Sequence, residues 1–430
     1  METRQYRACP GPLRRGIALV LAAALGSAAV QAAALADNEH WVSAWGSAQM
    51  VPDGGNLLPD AQWRDTSLRE IVRVSLPAHV LRVRVSNAFG VTPLELDAAS
   101  VGLAQRAGDP ALQPGSVRAL RFNGETHVMV PAGAEYLSDP VELDARAGAD
   151  LAVSLHFLGE PARQTGHPGA RAKTFLVHGN QVMVEQWSGA DSVERWYALA
   201  DVEVRAPRGV GALVAIGDSI TDGHGVATDS NTRWTDLLAE RLQREHAPAM
   251  GIVNNGIGGG RLLRDGLGPN LESRVERDLL TRAGVTHAVV LIGVNDLGNL
   301  HRNGGEGPAE RARLVADLEL GLVQLVERAH AAGICVIGGT VTPYMGSDYY
   351  RPDAANEADR QQLNAWIRTS GRFDAVADFD AATRDPAHPD TLSKAADLGD
   401  GLHPGLAGRQ ALADALPLDA LRSCKWQTRP

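Results

Sequence analysis

Hydrophobic and polar residues alternate in short runs over the first half of the 430-residue chain. HVLRVRVSN and ADLAVSLHF are two such runs, and Gly, Pro and Asp separate them from their neighbours. A period of two places apolar side chains on one face of a strand, which is typical of antiparallel sheets with the other face toward solvent. The pattern therefore predicts an antiparallel β-sandwich-like domain over residues 37–207.

The second half of the chain has a different pattern, in which uninterrupted apolar runs alternate with segments of helical periodicity. The apolar runs are LVAIG, GIVNN, AVVLIG, ICVIGG and AVADFD, and the helical segments are WTDLLAERLQREH, AERARLVADLELGLVQLVERAHAAG and DRQQLNAWIRTS. Such apolar runs are typical of parallel strands that are buried on both faces and joined by helices. Residues 208–430 are predicted to form a doubly wound α/β domain with five parallel strands.

Glycines and polar residues follow three of these strands directly, and a fourth polar cluster lies near the C-terminal end. The four segments are GDSIT (217–221), GIGGG (256–260), GVND (293–296) and DGLHP (400–404). In an open parallel sheet, ligands bind at the edge where the carboxyl ends of the strands meet. We therefore expect the polar groups of these segments to line one site.

These segments contain the groups that acyl transfer to a serine requires. Ser219, at the turn that Gly217 permits after its strand, is the candidate nucleophile. His403 is the candidate general base, and Asp400 would fix the imidazole tautomer and stabilise the imidazolium. The N–H of Ser219, a glycine N–H of the second segment and the side-chain amide of Asn295 are the candidate donors to the oxyanion.

In order and spacing, the four segments resemble the sequence blocks of the SGNH hydrolases, also called GDSL esterases and lipases. The resemblance covers about residues 210–416 and implies a flavodoxin-like three-layer α/β/α hydrolase domain that uses no metal or cofactor. Matching the second block by position makes Gly259 the oxyanion glycine. This block usually reads Gly-Ile-Ser-Gly. Because Gly258 replaces the serine, a shift in register would give the role to Gly258 or Gly260.

Two further features leave alternatives open. The last block of the family usually continues with Asn after the proline, and Gly405 at this position puts the capping of the following helix in doubt. A second Asp-x-x-His arrangement, formed by Asp385 and His388, competes with DGLHP for the role of base and orienter. Its surroundings, DPAHPD, are typical of a proline-rich surface loop, so we rank it below DGLHP.

The N-terminal segment predicts export. Four arginines precede the alanine-rich run GIALVLAAALGSAAVQAAALA, which ends in an Ala-x-Ala cleavage pattern at residues 34–36. A cut after Ala32 is an alternative. A membrane anchor would be the competing interpretation, but Gly, Ser and Gln interrupt the run, and no other stretch approaches about 18 apolar residues. We expect residues 1–36 to be a signal peptide and the mature protein to be periplasmic or extracellular, without stable membrane insertion.

Charge and cysteine content restrict the partners. The chain has 41 basic and 51 acidic residues, and residues 1–36 hold four and one of them, so 37 basic and 50 acidic residues remain, a net charge of −13. This charge disfavours nucleic acid and anionic membranes as partners.

Two cysteines, Cys335 and Cys424, lie outside the predicted signal peptide. They form either a disulfide or two free thiols, with Cys335 buried. No Cys/His cluster has metal-ligand spacing, so no metal is expected, and the oligomeric state stays open.

Two classes of function follow from these features. The first is an exported serine ester hydrolase that cleaves short-chain acyl esters, acetyl above all, of carbohydrates or small molecules. A lipase or lysophospholipase is the alternative within this class. The second class is a binding protein that keeps the fold without turnover. The β-rich domain is expected to be a structural module, with carbohydrate binding through exposed Trp187 or Trp196 as the alternative. His167, His178 and His224 are expected to be surface or packing residues.

Overall fold

The computed structural model describes residues 38–304, 307–422 and 424, and the predicted signal peptide lies outside these ranges. In the first half, the strands are β1 (Glu39–Gly46), β2 (Thr66–Arg73), β3 (Ala78–Ser86), β4 (Leu94–Leu103), β5 (Arg118–Leu120), β6 (Val128–Val130), β7 (Glu135–Leu137), β8 (Val141–Ala145), β9 (Asp150–Phe157), β10 (Gly166–His167), β11 (Thr174–His178), β12 (Asp191–Val193), β13 (Trp196–Tyr197) and β14 (Leu199–Pro207). Short 3₁₀ turns cover Gly54–Asn56 and Asp60–Gln62.

All pairings among these strands are antiparallel. One sheet has the order β1-β14-β3-β7, with β8 also on β3, and a second has the order β12-β11-β2-β9-β4-β5, with β6 also on β4. A third, two-stranded sheet pairs β10 with β13. Apolar side chains of both sheets, such as Val83 and Val204 of the first and Leu68 and Leu155 of the second, pack into one core. The predicted antiparallel, β-rich character of this region is confirmed.

The larger sheet differs from the prediction in that its second face is also covered. Ile71 and Ala152 on this face pack against Trp187 and Phe175 in a separate apolar cluster. As a result, seven of the eight residues of β9 are buried rather than every second one. Phe175 belongs to β11 of the same sheet, whereas Trp187 comes from a loop that has no strand periodicity of its own. The alternation of β9 alone therefore could not indicate this cover.

In the second half, the strands are β15 (Gly211–Gly217), β16 (Met250–Gly256), β17 (Val285–Leu291), β18 (Cys335–Gly339) and β19 (Ala375–Ala377). The helices are α1 (Ser219–Asp222), α2 (Trp234–Arg244), α3 (Leu271–Val275, continued by a π-helical turn, Glu276–Leu280), α4 (Val294–Arg302), α5 (Pro308–Ala331), α6 (Ala354–Thr369), α7 (Phe379–Thr383) and α8 (Leu406–Ala415), followed by a 3₁₀ turn (Leu418–Leu421).

The five strands form one parallel sheet, as predicted. Their order in the sheet is β16-β15-β17-β18-β19. This is the 2-1-3-4-5 order of flavodoxin-like folds. All seven residues of the central strand β15 are buried, which explains its uninterrupted apolar run. Gly217 ends this strand, and a Cβ there would lie 2.3 Å from the carbonyl oxygen of Leu291. Only glycine therefore permits the approach of β15 and β17 just before Ser219.

Buried polar groups join the two halves of the molecule. The N–H of Ser43 in β1 donates to the carbonyl of Ala283 at 2.9 Å, and the hydroxyl of Ser43 accepts from the N–H of Ala283 at 3.1 Å. Arg282 donates to the carboxylate of Asp201 at 3.1 Å, and both side chains are buried. A Cβ on Gly251 of β16 would collide with the carbonyl of Ser43. The β-rich region therefore packs directly against the first edge strand of the parallel sheet.

Cys335, at the start of β18, forms a disulfide with Cys424, and their Cα atoms are 5.7 Å apart. The structure thus adopts the bonded alternative of the two that the sequence left open. None of the helices in the described ranges combines the length and the hydropathy that a membrane-spanning helix requires.

Candidate active site

Ser219 is the first residue of α1, and only Asp218 separates it from the end of β15. The carboxylate of Asp218 caps this short helix by accepting the N–H of Ile220 at 3.0 Å. Only 8% of Ser219 is exposed. Its hydroxyl lies 2.9 Å from Nε2 of His403, so the structure brings together two side chains that are 184 positions apart in the chain.

The second nitrogen of His403, Nδ1, lies 2.7 Å from Oδ2 of Asp400. The other oxygen of this carboxylate accepts the backbone N–H groups of Leu402 and His403 at 3.0 and 2.8 Å. A carboxylate accepts a proton from Nδ1, which leaves the lone pair of Nε2 directed at the serine hydroxyl. Partial burial would raise the pKa of Asp400, but the hydrogen bonds from His403 and Leu402 outweigh it and hold that pKa below its usual value. Asp400 is therefore an ionised orienter of His403.

The competing pair, Asp385 and His388, has a different arrangement. The carboxylate of Asp385 accepts the backbone N–H groups of Ala387 and His388 at 2.7 and 3.2 Å. Asp385 thus closes a turn in an exposed loop instead of orienting an imidazole. The structure brings His403, and not His388, to Ser219.

Backbone contacts distinguish the three glycines of the second segment. The N–H of Gly258 donates to the carboxylate of Asp222 at 3.0 Å, and the N–H of Gly260 donates to the carbonyl of Ile257 at 2.9 Å. Among the described residues, no hydrogen-bond acceptor is assigned to the N–H of Gly259. Gly259 has φ +68°, where a side chain is strained, and a Cβ there would also collide with Leu267. Of the three, Gly259 is the glycine whose N–H is available to an oxyanion.

Asn295 is buried in the first turn of α4. Its Nδ2 donates to the carbonyl of Gly260 at 2.7 Å, and its Oδ1 accepts the hydroxyl of Tyr350 at 2.6 Å. The carbonyl of Gly260 can only accept, so it fixes which end of the amide is the donor. A second Nδ2 hydrogen remains beyond the one given to Gly260. Burial raises the pKa of Tyr350, so its hydroxyl stays a donor. The sequence analysis missed Tyr350, because it lies in no motif and 55 positions after Asn295.

Two buried carboxyl groups flank this arrangement. Burial raises the pKa of Asp218 to about 7 and that of Asp296 to about 6. The carboxyl group of Asp296 accepts the N–H groups of Leu262 and Leu263 at 2.9 and 3.3 Å. Asp296 thereby ties the loop that follows the three glycines to α4, next to Asn295.

Two of the three histidines that were expected to be surface or packing residues lie at the site. The ring of His224 stacks on His403 with 4.0 Å between centroids. Partial burial and the neighbouring His403 lower the pKa of His224. His167 is buried, and its Nε2 lies 2.9 Å from Oδ1 of Asp222. His178 is exposed, as expected, and lies 3.4 Å from Asp65. Neither His167 nor His224 stands in a motif that sequence reasoning could have used.

The two tryptophans considered for carbohydrate binding are buried, so the expectation that they are exposed was wrong. Trp187 is 7% exposed, with the guanidinium of Arg69 at 3.9 Å from its ring centroid. Trp196 is 5% exposed and meets Trp45 edge to face at 4.9 Å. Both rings fill the interior, where a sugar has no access to them.

Potential metal ligands converge at the site itself. Within the described ranges, ligand atoms of His224, Asp400 and His403 lie within 4.8 Å of one another. The two nitrogens of His403 already face Ser219 and Asp400, so a metal there would have to displace the serine or the carboxylate. A second group, Cys335, Asp374 and Cys424, includes the two disulfide sulfurs, which are not thiolate ligands.

Residues 215–411 match the model of the GDSL-like lipase/acylhydrolase family. The comparison with curated proteins gave no match.

Solved structures that resemble the chain include three hydrolases. An acetylxylan esterase from Geobacillus stearothermophilus is 22% identical, with a TM-score of 0.35 over 48% of this chain and 94% of that one. A GDSL-like lipase from Bacteroides thetaiotaomicron is 18% identical, with a TM-score of 0.35 over 48% and 85%. An alpha/beta hydrolase from the metagenome of Lake Arreo is 23% identical, with a TM-score of 0.35 over 48% and 92%.

The matched segment contains Ser219, the three glycines, Asn295 and the Asp400–His403 pair. Residues 215–411 of this chain therefore belong to the GDSL-like lipase/acylhydrolase family, and the chain is a carboxylic ester hydrolase.

Proposed function

We propose that this chain is an exported serine esterase that removes short acyl groups, acetyl above all, from carbohydrates or small esters through an acyl-enzyme. The observation that carries the proposal is the continuous hydrogen-bonded row of Ser219, His403 and Asp400. Oγ of Ser219 lies 2.9 Å from Nε2 of His403, and Nδ1 of His403 lies 2.7 Å from Oδ2 of Asp400. A serine hydroxyl is too weakly acidic to attack an ester alone, and this row supplies the base that it needs. We expect the surrounding domain to have the three-layer α/β/α arrangement.

In the first half of the reaction, Oγ of Ser219 bonds to the ester carbonyl carbon while its proton moves to Nε2 of His403. The imidazolium that forms is stabilised by the ionised Asp400. The tetrahedral intermediate then collapses, and His403 returns the proton to the leaving alcohol. In the second half, His403 removes a proton from water, the water oxygen attacks the acyl carbon, and Ser219 leaves with the proton from His403.

Negative charge develops on the carbonyl oxygen in each tetrahedral intermediate. We assign its donors to the N–H of Ser219, the N–H of Gly259 and the remaining Nδ2 hydrogen of Asn295. The engagement of Gly258 and Gly260 elsewhere supports Gly259. The carbonyl of Gly260, which can only accept, supports Asn295 as a donor. Donors that are fixed before the reaction stabilise the transition state without reorganisation.

One observation favours longer acyl chains as the alternative. Leu267, 68% exposed, lies against Gly259, and Leu398, 38% exposed, lies against Gly225 just after α1. Two exposed leucines near the catalytic segments give apolar surface on which an acyl chain could lie, as a lipase or lysophospholipase would require. The net charge of −13 disfavours an anionic lipid surface as the partner.

Hydrolysis of p-nitrophenyl esters of increasing chain length tests the proposal. We expect the highest kcat/KM for the acetate ester and loss of activity in Ser219→Ala. In a second assay, we expect the wild-type protein to release acetate from acetylated polysaccharides. A maximum at long chains would favour the lipase alternative, and absence of Ser219-dependent hydrolysis of any ester would favour a binding protein. Cleavage at residue 32 or 36, read from the N-terminus of the exported protein, tests the signal peptide.

A further inference from the structure

A carboxylate at the end of α1 connects the β-rich region to the glycine segment. Asp222 lies three residues after Ser219 and is buried. Its Oδ2 accepts the N–H of Gly258 at 3.0 Å, and its Oδ1 lies 2.9 Å from Nε2 of His167. His167 belongs to β10 of the β-rich region. One side chain of that region is therefore two hydrogen bonds away from the oxyanion segment.

Both ring nitrogens of His167 face oxygen atoms. Nδ1 lies 2.7 Å from the carbonyl of Ala48, and Nε2 faces the carboxylate of Asp222. Because a carbonyl only accepts, Nδ1 carries a proton, and the contact with Asp222 holds a second proton between Nε2 and Oδ1. Each of the two side chains is 4% exposed. The ring also stacks on Trp196 at 5.7 Å, which fixes its plane.

Asp222 is confined by backbone from both halves of the molecule. A Cβ on Gly169 of the β-rich region would meet its carboxylate at 2.1 Å, and a Cβ on Gly256 of β16 would meet its backbone nitrogen at 2.2 Å. Arg233 adds a further bridge, because it donates to the carbonyls of both Asp222 and Ala170. With so little space around it, the carboxylate holds the N–H of Gly258 in one place.

A second contact from the β-rich region reaches the same segment. Met50 and Ala48 pack with Ile257, the residue before Gly258, in a small buried apolar cluster. The segment before Gly259 is therefore fixed by an apolar contact with Met50 and by the hydrogen bonds that link it through Asp222 to His167. Met50 and His167 both lie outside the parallel sheet.

We propose that His167 is a positioning residue for ester hydrolysis, through which the β-rich region fixes the oxyanion segment by way of Asp222 and Gly258. Without the His167 ring, Oδ1 of the buried Asp222 side chain loses its hydrogen-bond partner, and the N–H of Gly258 loses a fixed acceptor. The N–H of Gly259 in the next peptide then leaves the position that the oxyanion needs. Since that contact matters in the transition state, the loss falls on kcat and not on KM.

The inference rests on the proposed serine esterase activity, so the test begins with wild-type protein and Ser219→Ala on p-nitrophenyl acetate. Hydrolysis by the wild type alone establishes the activity, and the other variants then judge only the role of His167. His167→Ala is expected to lower kcat by about tenfold to a hundredfold with KM little changed, since small misplacements in a site have effects of this size. Circular dichroism and a thermal melt show whether the variant is folded at the assay temperature.

Chemical rescue separates positioning from loss of structure. A cavity of about 250 Å³ lies between the two halves and is lined by His167, Trp196, Asp222 and Arg233, among others. Removal of the His167 ring leaves a space continuous with this cavity, which imidazole from the buffer can occupy. Imidazole is expected to restore much of kcat in His167→Ala and to leave the wild type unchanged. A loss of kcat in folded protein that imidazole does not restore would overturn the inference, as would a wild-type kcat.

The matched control is His156→Ala. His156 is also buried in the β-rich region, and its two ring nitrogens also face oxygens, those of Asp65 and Asp97 at 3.1 and 3.2 Å. We expect this variant to melt at a lower temperature but to keep kcat. An equal loss of kcat in His156→Ala would show that any damage to the β-rich region lowers activity, which contradicts a specific role for His167.

A pair of variants at Asp222 keeps the test valid if His167→Ala does not fold. Asp222→Asn retains an oxygen for the N–H of Gly258 and offers an N–H to a neutral His167, whereas Asp222→Ala retains neither. We expect kcat of Asp222→Asn to be closer to the wild type than to Asp222→Ala. Equal values of kcat for the two variants would contradict the proposed path through Gly258.

Discussion

The β-rich region and the parallel α/β region contribute to the site in different ways. The α/β region supplies Ser219, Gly259 and Asn295 from the ends of three neighbouring strands, and Asp400 and His403 from one loop. The β-rich region contributes through contacts such as that of His167 with Asp222. A parallel sheet gathers the ends of its strands at one edge whatever their sequence distance. The contacts of the β-rich region depend instead on how two folded surfaces meet.

This difference predicts two scales of effect. Groups that touch the reacting atoms are expected to change turnover by orders of magnitude, and groups that act through them by much less. The first scale belongs to the strand-end and loop residues of the α/β region. The second belongs to residues that hold those groups in place, whichever region they come from. Variants in each class test whether the division is real.

The largest effect is expected for Ser219→Ala. The variant lacks the nucleophile, and loss of a triad serine lowers turnover by about 10⁶-fold. Esterase assays and a fluorophosphonate label, which reacts with an activated serine, check the result. Ser230→Ala is the control, because this exposed serine lies in the same stretch of chain and its hydroxyl bonds only to Thr232 among the described residues. Retention of more than a few per cent of activity in Ser219→Ala would remove Ser219 as the nucleophile.

A comparably large loss is expected for His403→Ala, with His388→Ala close to the wild type. His403 accepts the serine proton, whereas His388 lies in the Asp385 turn. A protonated imidazole has no lone pair for this step, so activity should fall on acidification. Because the pKa of Asp400 is held below its usual value, Asp400 stays ionised as the pH falls and keeps its role as orienter on the acid side. A pH profile of kcat/KM checks the expected fall, and activity that does not decrease on acidification would contradict a base with this role.

The catalytic segments were accessible to sequence reasoning because each consists of a few adjacent residues at the end of a recognisable strand or loop. Ser219 and the Asp400–His403 pair could be named in this way. The choice among the three glycines could not, because it depends on where the Asp222 carboxylate lies. Tyr350 and His167 were missed because each meets its partner 55 positions away in the chain.

The same reasoning explains the errors in the β-rich region. A period of two indicates which residues share a face of a strand, but not what covers that face. Trp187, in a loop without regular spacing, packs on this face, and its ring meets the guanidinium of Arg69 in β2. The antiparallel character of the region was therefore predictable, and its second buried face was not.

A smaller loss of turnover is expected for Asn295→Ala. The variant lacks the amide that we assign to the oxyanion, and removal of one such donor costs about 10²–10³ in kcat. KM should change little, because the contact strengthens in the transition state. Steady-state kinetics on p-nitrophenyl acetate measures both constants. A rise in KM with unchanged kcat would make Asn295 a substrate-binding or turn residue instead.

The smallest effect is expected for Tyr350→Phe, which removes only the hydroxyl that holds Oδ1 of Asn295. A neutral hydrogen bond is worth about 0.5–1.5 kcal/mol, so we expect kcat to fall by about twofold to tenfold. Because Tyr350 acts through Asn295, the substitution should have no further effect on kcat in Asn295→Ala, which a double-mutant cycle measures. Tyr344→Phe is the matched control: its buried hydroxyl donates to Asn356 at 2.7 Å, and its ring is 6.0 Å from that of Tyr350. The control should lose stability without losing kcat. Additive effects of Tyr350→Phe and Asn295→Ala would show that Tyr350 acts on the reaction by another route. The distinction between residues that contact the reacting atoms and residues that position them would then not hold at the oxyanion site.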